Sequence, residues 1–205
     1  MAYYHDLIVE KSWKELQALR KKYDFILIGG WAVYLYTKAL KSRDIDFICS
    51  YETLEKLKTD FDLVKNERLK KYEIHRGNFD IDIYVPHFSE LGIPVADLQT
   101  MKKSLEGFTV LKPEPLLILK QIAFQERGHS IKGEKDKIDM LALLMVQAVD
   151  FEKYRALLEN YQFIPFQEQL RQLIAQTRAI SELGVDEHAF SRFKKRVMEN
   201  FSKNQ

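Results

Sequence analysis

The chain has 205 residues, with 46% hydrophobic and 30% charged side chains, the balance of a soluble globular protein long enough for one domain with a real core or for a catalytic domain plus a small helical one. With 32 basic and 30 acidic side chains the net charge is +2, so any basic patch is local, and neither a nucleic acid nor a small molecule is excluded as ligand. A lone cysteine, Cys49, excludes an intramolecular disulfide, and no apolar run approaches the roughly 20 residues that span a membrane.

In chain order, Glu10 to Lys22 reads as an amphipathic helix, with Trp13, Leu16 and Leu19 recurring among charges. Phe25 to Ile28 is a short apolar strand ended by Gly29-Gly30, and Trp31 to Leu40 a helix. Asp44 to Cys49 reads as a strand and Tyr51 to Phe61 as a charged helix with Leu54 and Leu57 inward. Cys49 falls in that strand, where a buried, inert thiol is expected. Leu69 to His75 suggests an irregular strand. Gly77-Asn78 signals a turn, Phe79 to Val85 alternates with period two, and Pro86 closes that strand. Pro94 to Ser104 suggests a helix and Gly107 to Leu111 another strand. The character changes near Pro113, which sets the expected domains at 1–112 and 113–205. Helices are expected over Pro115 to Phe124, Ile138 to Val149, Phe151 to Tyr161, Pro165 to Leu183 and, as a last basic one, Asp186 to Phe201.

Chemistry concentrates in the first half. A strand that runs into glycines and then a helix presents free backbone N–H groups, and the helix dipole adds to their attraction for phosphate. Glycine lets a phosphate approach the backbone where a Cβ would block it. No Gly-Lys-Ser/Thr follows, so this is not a Walker loop. Asp44 and Asp46 share one face of a strand whose other residues, Ile45, Phe47 and Ile48, mark it as core. Carboxylates there are costly unless a cation compensates them, and Mg²⁺ prefers such hard oxygen ligands together with waters and substrate phosphates. Asp80 and Asp82 repeat the pattern between Phe79, Ile81 and Ile83. If the two acidic strands are neighbours, three or four carboxylates converge, enough for two ions serving in-line phosphoryl displacement.

Gly29-Gly30, the following helix, Ser42-Arg43-Asp44-Ile45-Asp46 and a later acidic strand resemble the DNA polymerase β-type nucleotidyltransferase superfamily over about residues 24 to 86. The similarity is closest to small prokaryotic members, including antibiotic nucleotidyltransferases and toxin-type enzymes of toxin–antitoxin systems. It implies an α/β (α+β) nucleotidyltransferase fold, a small mixed sheet flanked by helices, followed by a C-terminal helical domain with the active site between the two. It also implies an Mg²⁺-dependent enzyme that transfers an NMP from an NTP to an acceptor hydroxyl and releases pyrophosphate, with two Mg²⁺ ions, or Mn²⁺ in their place. Asp44, Asp46 and Asp82, or Asp80 in place of Asp82, would ligate metal, and the third carboxylate would also serve as base. Gly29 and Gly30 would flank the triphosphate. Gly30 stands where many members carry serine, which leaves Ser42 as a hydroxyl candidate, and Arg43 and Lys41 flank the metal acids.

In the helical half, Lys120 followed by Lys135-Asp136 and Asp139 is similar to the toxin-type relatives, which would put Lys120 against a β- or γ-phosphate. The partners implied are an NTP, an acceptor that is a tRNA end, a protein or a small molecule, and a cognate antitoxin, with no membrane. The polar start, Met1 to Asp6, points to a cytoplasmic protein. Five scattered histidines and one cysteine give no zinc spacing. The basic run Arg192 to Val197 is either a nucleic-acid contact or a solvated helix end. Two other functions compete: a non-catalytic nucleotidyltransferase-like binding or regulatory module, and a metal-dependent phosphohydrolase or nuclease.

Overall fold

The computed structural model describes residues 2–128 and 130–202, with side chains over 6–128 and 130–201; Met1, His129 and residues 203–205 lie outside the described residues. The chain divides into two compact units, residues 1–112 and 113–205.

The first unit runs α1 (Ala2–Lys22), β1 (Ile26–Ile28), α2 (Gly29–Thr37), β2 (Ile45–Ile48), α3 (Tyr51–Asp60), β3 (Val64–Asn66), β4 (Lys71–His75), β5 (Asp80–Tyr84), β6 (Glu90–Leu91), β7 (Ile93–Pro94), α4 (Val95–Leu98), β8 (Lys102–Leu105) and β9 (Phe108–Leu111). Seven strands form one mixed sheet in the order β3-β4-β5-β2-β1-β9-β8, and β6 and β7 pair separately. β2 lies parallel to β5 and β1 parallel to β9; the other neighbours in the large sheet are antiparallel. Strand alternation gives the sheet two unlike faces. Leu27, Ile45, Phe47, Ile74, Ile81, Ile83 and Val110 form one of them and are buried. The other face carries Glu73, Asp82 and Asp46 in one row, because Glu73 pairs with Asp82 and Asp82 with Asp46.

Several elements differ from the sequence expectation: β3 has no counterpart in it, and the helices expected over 138–149 and 165–183 span Ile131–Met145 and Pro165–Gln176. α1 begins near Ala2 rather than Glu10. The segment expected as a helix over 94–104 holds only the single turn α4 and then strand β8. Glu106 and Gly107 both have positive φ (50° and 76°), the backbone of a two-residue hairpin turn, and this folds β8 back onto β9. β4 is a regular five-residue strand, joined to β5 across the Gly77-Asn78 turn, where Arg76 N–H donates to the Phe79 carbonyl.

The second unit comprises α5 (Pro113–Arg127), α6 (Ile131–Met145), α7 (Phe151–Asn160), α8 (Pro165–Gln176), a 3-10 turn at Ser181–Leu183 and α9 (Glu187–Ser202). Its core holds Leu116, Leu117, Leu141, Leu143, Tyr154, Leu170 and Phe190. The buried Tyr154 hydroxyl donates to Gln121 Oε1 (2.6 Å), and Gln121 Nε2 donates to the Phe166 carbonyl (2.9 Å), which ties α5, α7 and α8 together. Two cations of the basic run on α9 serve helix ends: Lys194 donates to the Ala175 carbonyl in the last turn of α8, and Arg196 to that of Met145, the last residue of α6. Among the described residues no helix is long and apolar enough to cross a membrane.

Candidate active site

β1 ends at Ile28, and α2 begins at Gly29; Ile28, the residue at its N-cap, has no polar side chain to cap it. Its first-turn N–H groups have no intrahelical partners and lie at the end of a buried strand. Gly29 has φ +65°, and a Cβ built on it would overlap the Asp46 carboxylate, 2.7 Å from Cγ and 2.8 Å from the Asp46 Cβ. Both the left-handed backbone and the close approach require glycine here. The glycine turn and the second aspartate of Asp44-Ile45-Asp46 are thus in contact. Gly30 is buried in the first turn of α2.

Asp46 lies opposite Asp82 in the parallel β2–β5 register. Asp82 is mostly buried, with 15% of its side chain exposed. Its Oδ2 accepts from Lys71 Nζ at 2.6 Å, while its Oδ1 is buried without a hydrogen-bond partner among the described residues. Burial, and then the charge of Asp46, push the Asp82 carboxyl up to about 7, against the opposing effect of Lys71. Lys71 also pairs with Glu73 (2.8 Å), and Asn66 Nδ2 donates to the other Glu73 oxygen (3.0 Å). Burial works to lower the Lys71 pKa, but the bonds from Asp82 and Glu73 outweigh it and hold the ammonium above its ordinary value.

Asp44 precedes β2 and is bound by Arg43 through Nε (3.0 Å) and Nη2 (3.2 Å); its Oδ1 also accepts from the Asp80 backbone N–H (3.3 Å). That bond to Asp44 holds the Arg43 guanidinium above its usual range. Asp80 is half-exposed and paired with His75 Nδ1 at 2.8 Å. Ser42 is buried. Lys41 is exposed. Lys120 is held inside the helical unit by Asp139 (2.6 Å) and Asp136 (3.0 Å), and Arg127 pairs with the second oxygen of Asp136 (2.8 Å). A shallow cavity of about 590 Å³ beside β4 and β5 is lined by Lys11, Lys14, Glu15, His75, Arg76 and Phe79, not by Asp46 or Asp82.

Lys71 and Glu73 are absent from the sequence reading. The alternation Lys71-Tyr72-Glu73-Ile74-His75 carries the signal, charged on one face and apolar on the other, but only the pairing of β4 with β5 brings those charges to Asp82.

No protein-family model matches the chain, and no curated protein shows significant similarity to it. Solved structures do. A structure from H. pylori described as a nucleotidyltransferase is similar over 96% of this chain and 95% of its own, with a TM-score of 0.51 at 16% identity. The chain has the nucleotidyltransferase fold. An antigenic nucleotidyltransferase-like protein from Paracoccidioides brasiliensis is similar over 68% of this chain and 76% of its own (TM-score 0.42, 20% identity). The Megavirus polyadenylate synthase is similar over 72% of this chain and 32% of its own (TM-score 0.44, 20% identity). Within this nucleotidyltransferase fold the row of carboxylates occupies the middle of the sheet, at β5 and β2, beside the strand that ends in the glycine turn.

The donor set suits a hard divalent cation. Two carboxylates stand in register, one of them with a buried oxygen that lacks a partner. Among the described residues no group of three or more His, Cys, Asp or Glu side chains is gathered tightly enough to enclose an ion. That is compatible with Mg²⁺, which is commonly held by one or two carboxylates and completed by waters and substrate phosphates.

Proposed function

We propose that this protein is a nucleotidyltransferase that moves a nucleoside monophosphate from an NTP to an acceptor hydroxyl. The observation that carries this reading is the contact between the glycine turn and Asp46, with Asp82 in register beside it. A phosphate-binding helix N-terminus and a pair of cation-binding carboxylates at one spot suit a triphosphate better than a simple phosphate ester.

In this reading Asp46 and Asp82 hold Mg²⁺, with Asp44 at the edge of the site. The bound ion supplies charge stabilisation on the phosphates and a lowered pKa for the acceptor hydroxyl. The first-turn N–H groups of α2, from Gly29 and Gly30, receive phosphate oxygens, and Arg43 and Ser42 flank them. The acceptor oxygen forms a bond to the α-phosphorus, the bond to the bridging oxygen breaks, and pyrophosphate leaves. Asp82, on the strand beside Asp46, is the carboxylate assigned to take the hydroxyl proton. The preorganised backbone donors exclude water from the phosphate oxygens they bind and hold the chain of atoms in line.

Calorimetric titration of ATP, GTP, CTP and UTP into the protein with Mg²⁺, repeated with Asp46→Ala, tests the reading. The expected result is metal-dependent binding of at least one NTP that the substitution abolishes. Equal binding by the variant would refute the site, and binding of no NTP by the wild type would favour a non-catalytic module built on the same fold.

A further inference from the structure

We propose that Lys71 is a positioning residue for Asp82: it engages one carboxylate oxygen and so leaves the other, Oδ1, as the single oxygen offered to the cation. The inference rests on the metal site proposed above.

Lys71 is an unusual lysine for a strand face, with only 12% of its side chain exposed. Its ammonium lies between Glu73 Oε1 and Asp82 Oδ2, at 2.8 and 2.6 Å. Glu73 is itself fixed from its other side by Asn66. The ammonium is therefore held at a defined place, on the β4 side of Asp82. On the opposite side the register puts Asp46, and Asp82 Oδ1 is buried with no hydrogen-bond partner among the described residues. One oxygen of Asp82 is spoken for and the other is left for something absent from the protein's own hydrogen bonding.

Glu73, Asp82 and Asp46 lie side by side on three adjacent strands, and Lys71 bonds the first two. A carboxylate can bind a cation through one oxygen or through both; Mg²⁺ demands near-octahedral geometry, to which single-oxygen ligation is suited, whereas Ca²⁺ takes carboxylates either way in a looser shell. By occupying Oδ2, Lys71 enforces the first mode. Partners of this kind orient ligands, and their loss typically changes metal affinity about 10–100-fold.

The test uses Mn²⁺ bound to the full chain, with EPR in isotope-labelled water to count coordinated waters, and Ca²⁺ competition to read selectivity. Wild type is expected to bind Mn²⁺, and Asp46→Asn to lose it. Lys71→Met frees both oxygens of Asp82. Its bound Mn²⁺ should carry one water fewer, and Ca²⁺ should compete roughly tenfold better. Lys71→Arg, whose guanidinium can still donate to Oδ2, should match wild type, an outcome that a mere packing role for Lys71 does not predict. If Lys71→Met does not fold, Lys71→Ala is read the same way. Unchanged hydration and unchanged selectivity in the Lys71 variants, with Asp46→Asn still abolishing binding, would overturn this inference alone. Failure of the wild type to bind Mn²⁺, or binding untouched by Asp46→Asn, would overturn the metal site and the inference with it.

Discussion

A carboxylate set beside a second carboxylate in a sheet face carries a measurable signature when no cation is bound. The Asp82 carboxyl stands at about 7, above its ordinary value of about 4 in an unfolded chain. Folding therefore takes up a proton between those two values. The contribution to stability is fully present below about pH 4 and is lost as the pH rises through about 7. Asp82→Asn removes this term. In chelator-treated protein the variant should match wild type near pH 4 and melt a few degrees higher above pH 7. Parallel melting curves for the two proteins across that range would show that Asp82 is not held in the protonated form. Cys49 illustrates the opposite extreme among single residues: burial alone pushes its thiol up to about 12, so the native protein should not react with thiol reagents at neutral pH until it is unfolded. Modification of the folded protein at the rate of a free thiol would contradict that placement.

At the level of elements, the site is a strand, a turn and a helix laid against a second strand. Gly29 joins them, and it is constrained by both its backbone and its neighbour. Gly29→Ala costs about 1–2 kcal/mol for the left-handed backbone, and its methyl group must also displace the Asp46 carboxylate. Nucleotide binding should fall at least tenfold, more than the lost stability explains; a variant that binds NTP and metal as wild type does would break the link between the turn and Asp46. Much of this was legible in the sequence. Asp44-Ile45-Asp46 and Asp80-Ile81-Asp82 were readable as strands because the side-chain period of two is local, and the Gly77-Asn78 hairpin because turn chemistry is local. The partners of the acids were not. Lys71 and Glu73 reach Asp82 only through the register of β4 on β5, a pairing no local pattern encodes. β8 was hidden for a related reason: Lys102 to Leu105 has little apolar character, and its strand conformation depends on pairing with β9 across Glu106-Gly107.

At the scale of the whole molecule, the two units offer separate spectroscopic handles. Both tryptophans, Trp13 and Trp31, belong to residues 1–112, and Trp31 is 1% exposed with its indole N–H donating to Ser12 Oγ. Residues 113–205 contain helices and no tryptophan. Tryptophan emission thus reports the sheet unit, while helical ellipticity includes both. Lys120 provides a way to damage only the second. Its ammonium is buried between Asp136 and Asp139, whose charges hold it above its ordinary pKa despite the burial. Lys120→Met leaves Arg127 to compensate Asp136 but removes the ammonium paired with Asp139, itself 1% exposed. Breaking a buried ion pair from one side costs about 3–5 kcal/mol, because the remaining charge is left without compensation. The helical transition should therefore fall by roughly 10 °C or more. Tryptophan emission should keep its wild-type profile through that first loss of ellipticity. If the emission change moves down with the ellipticity by the same amount, the two units unfold as one cooperative body, and Lys120 stabilises the sheet as well as the helices. If neither transition moves, the triad of Lys120, Asp136 and Asp139 contributes nothing to folding, and its burial must be explained by another role.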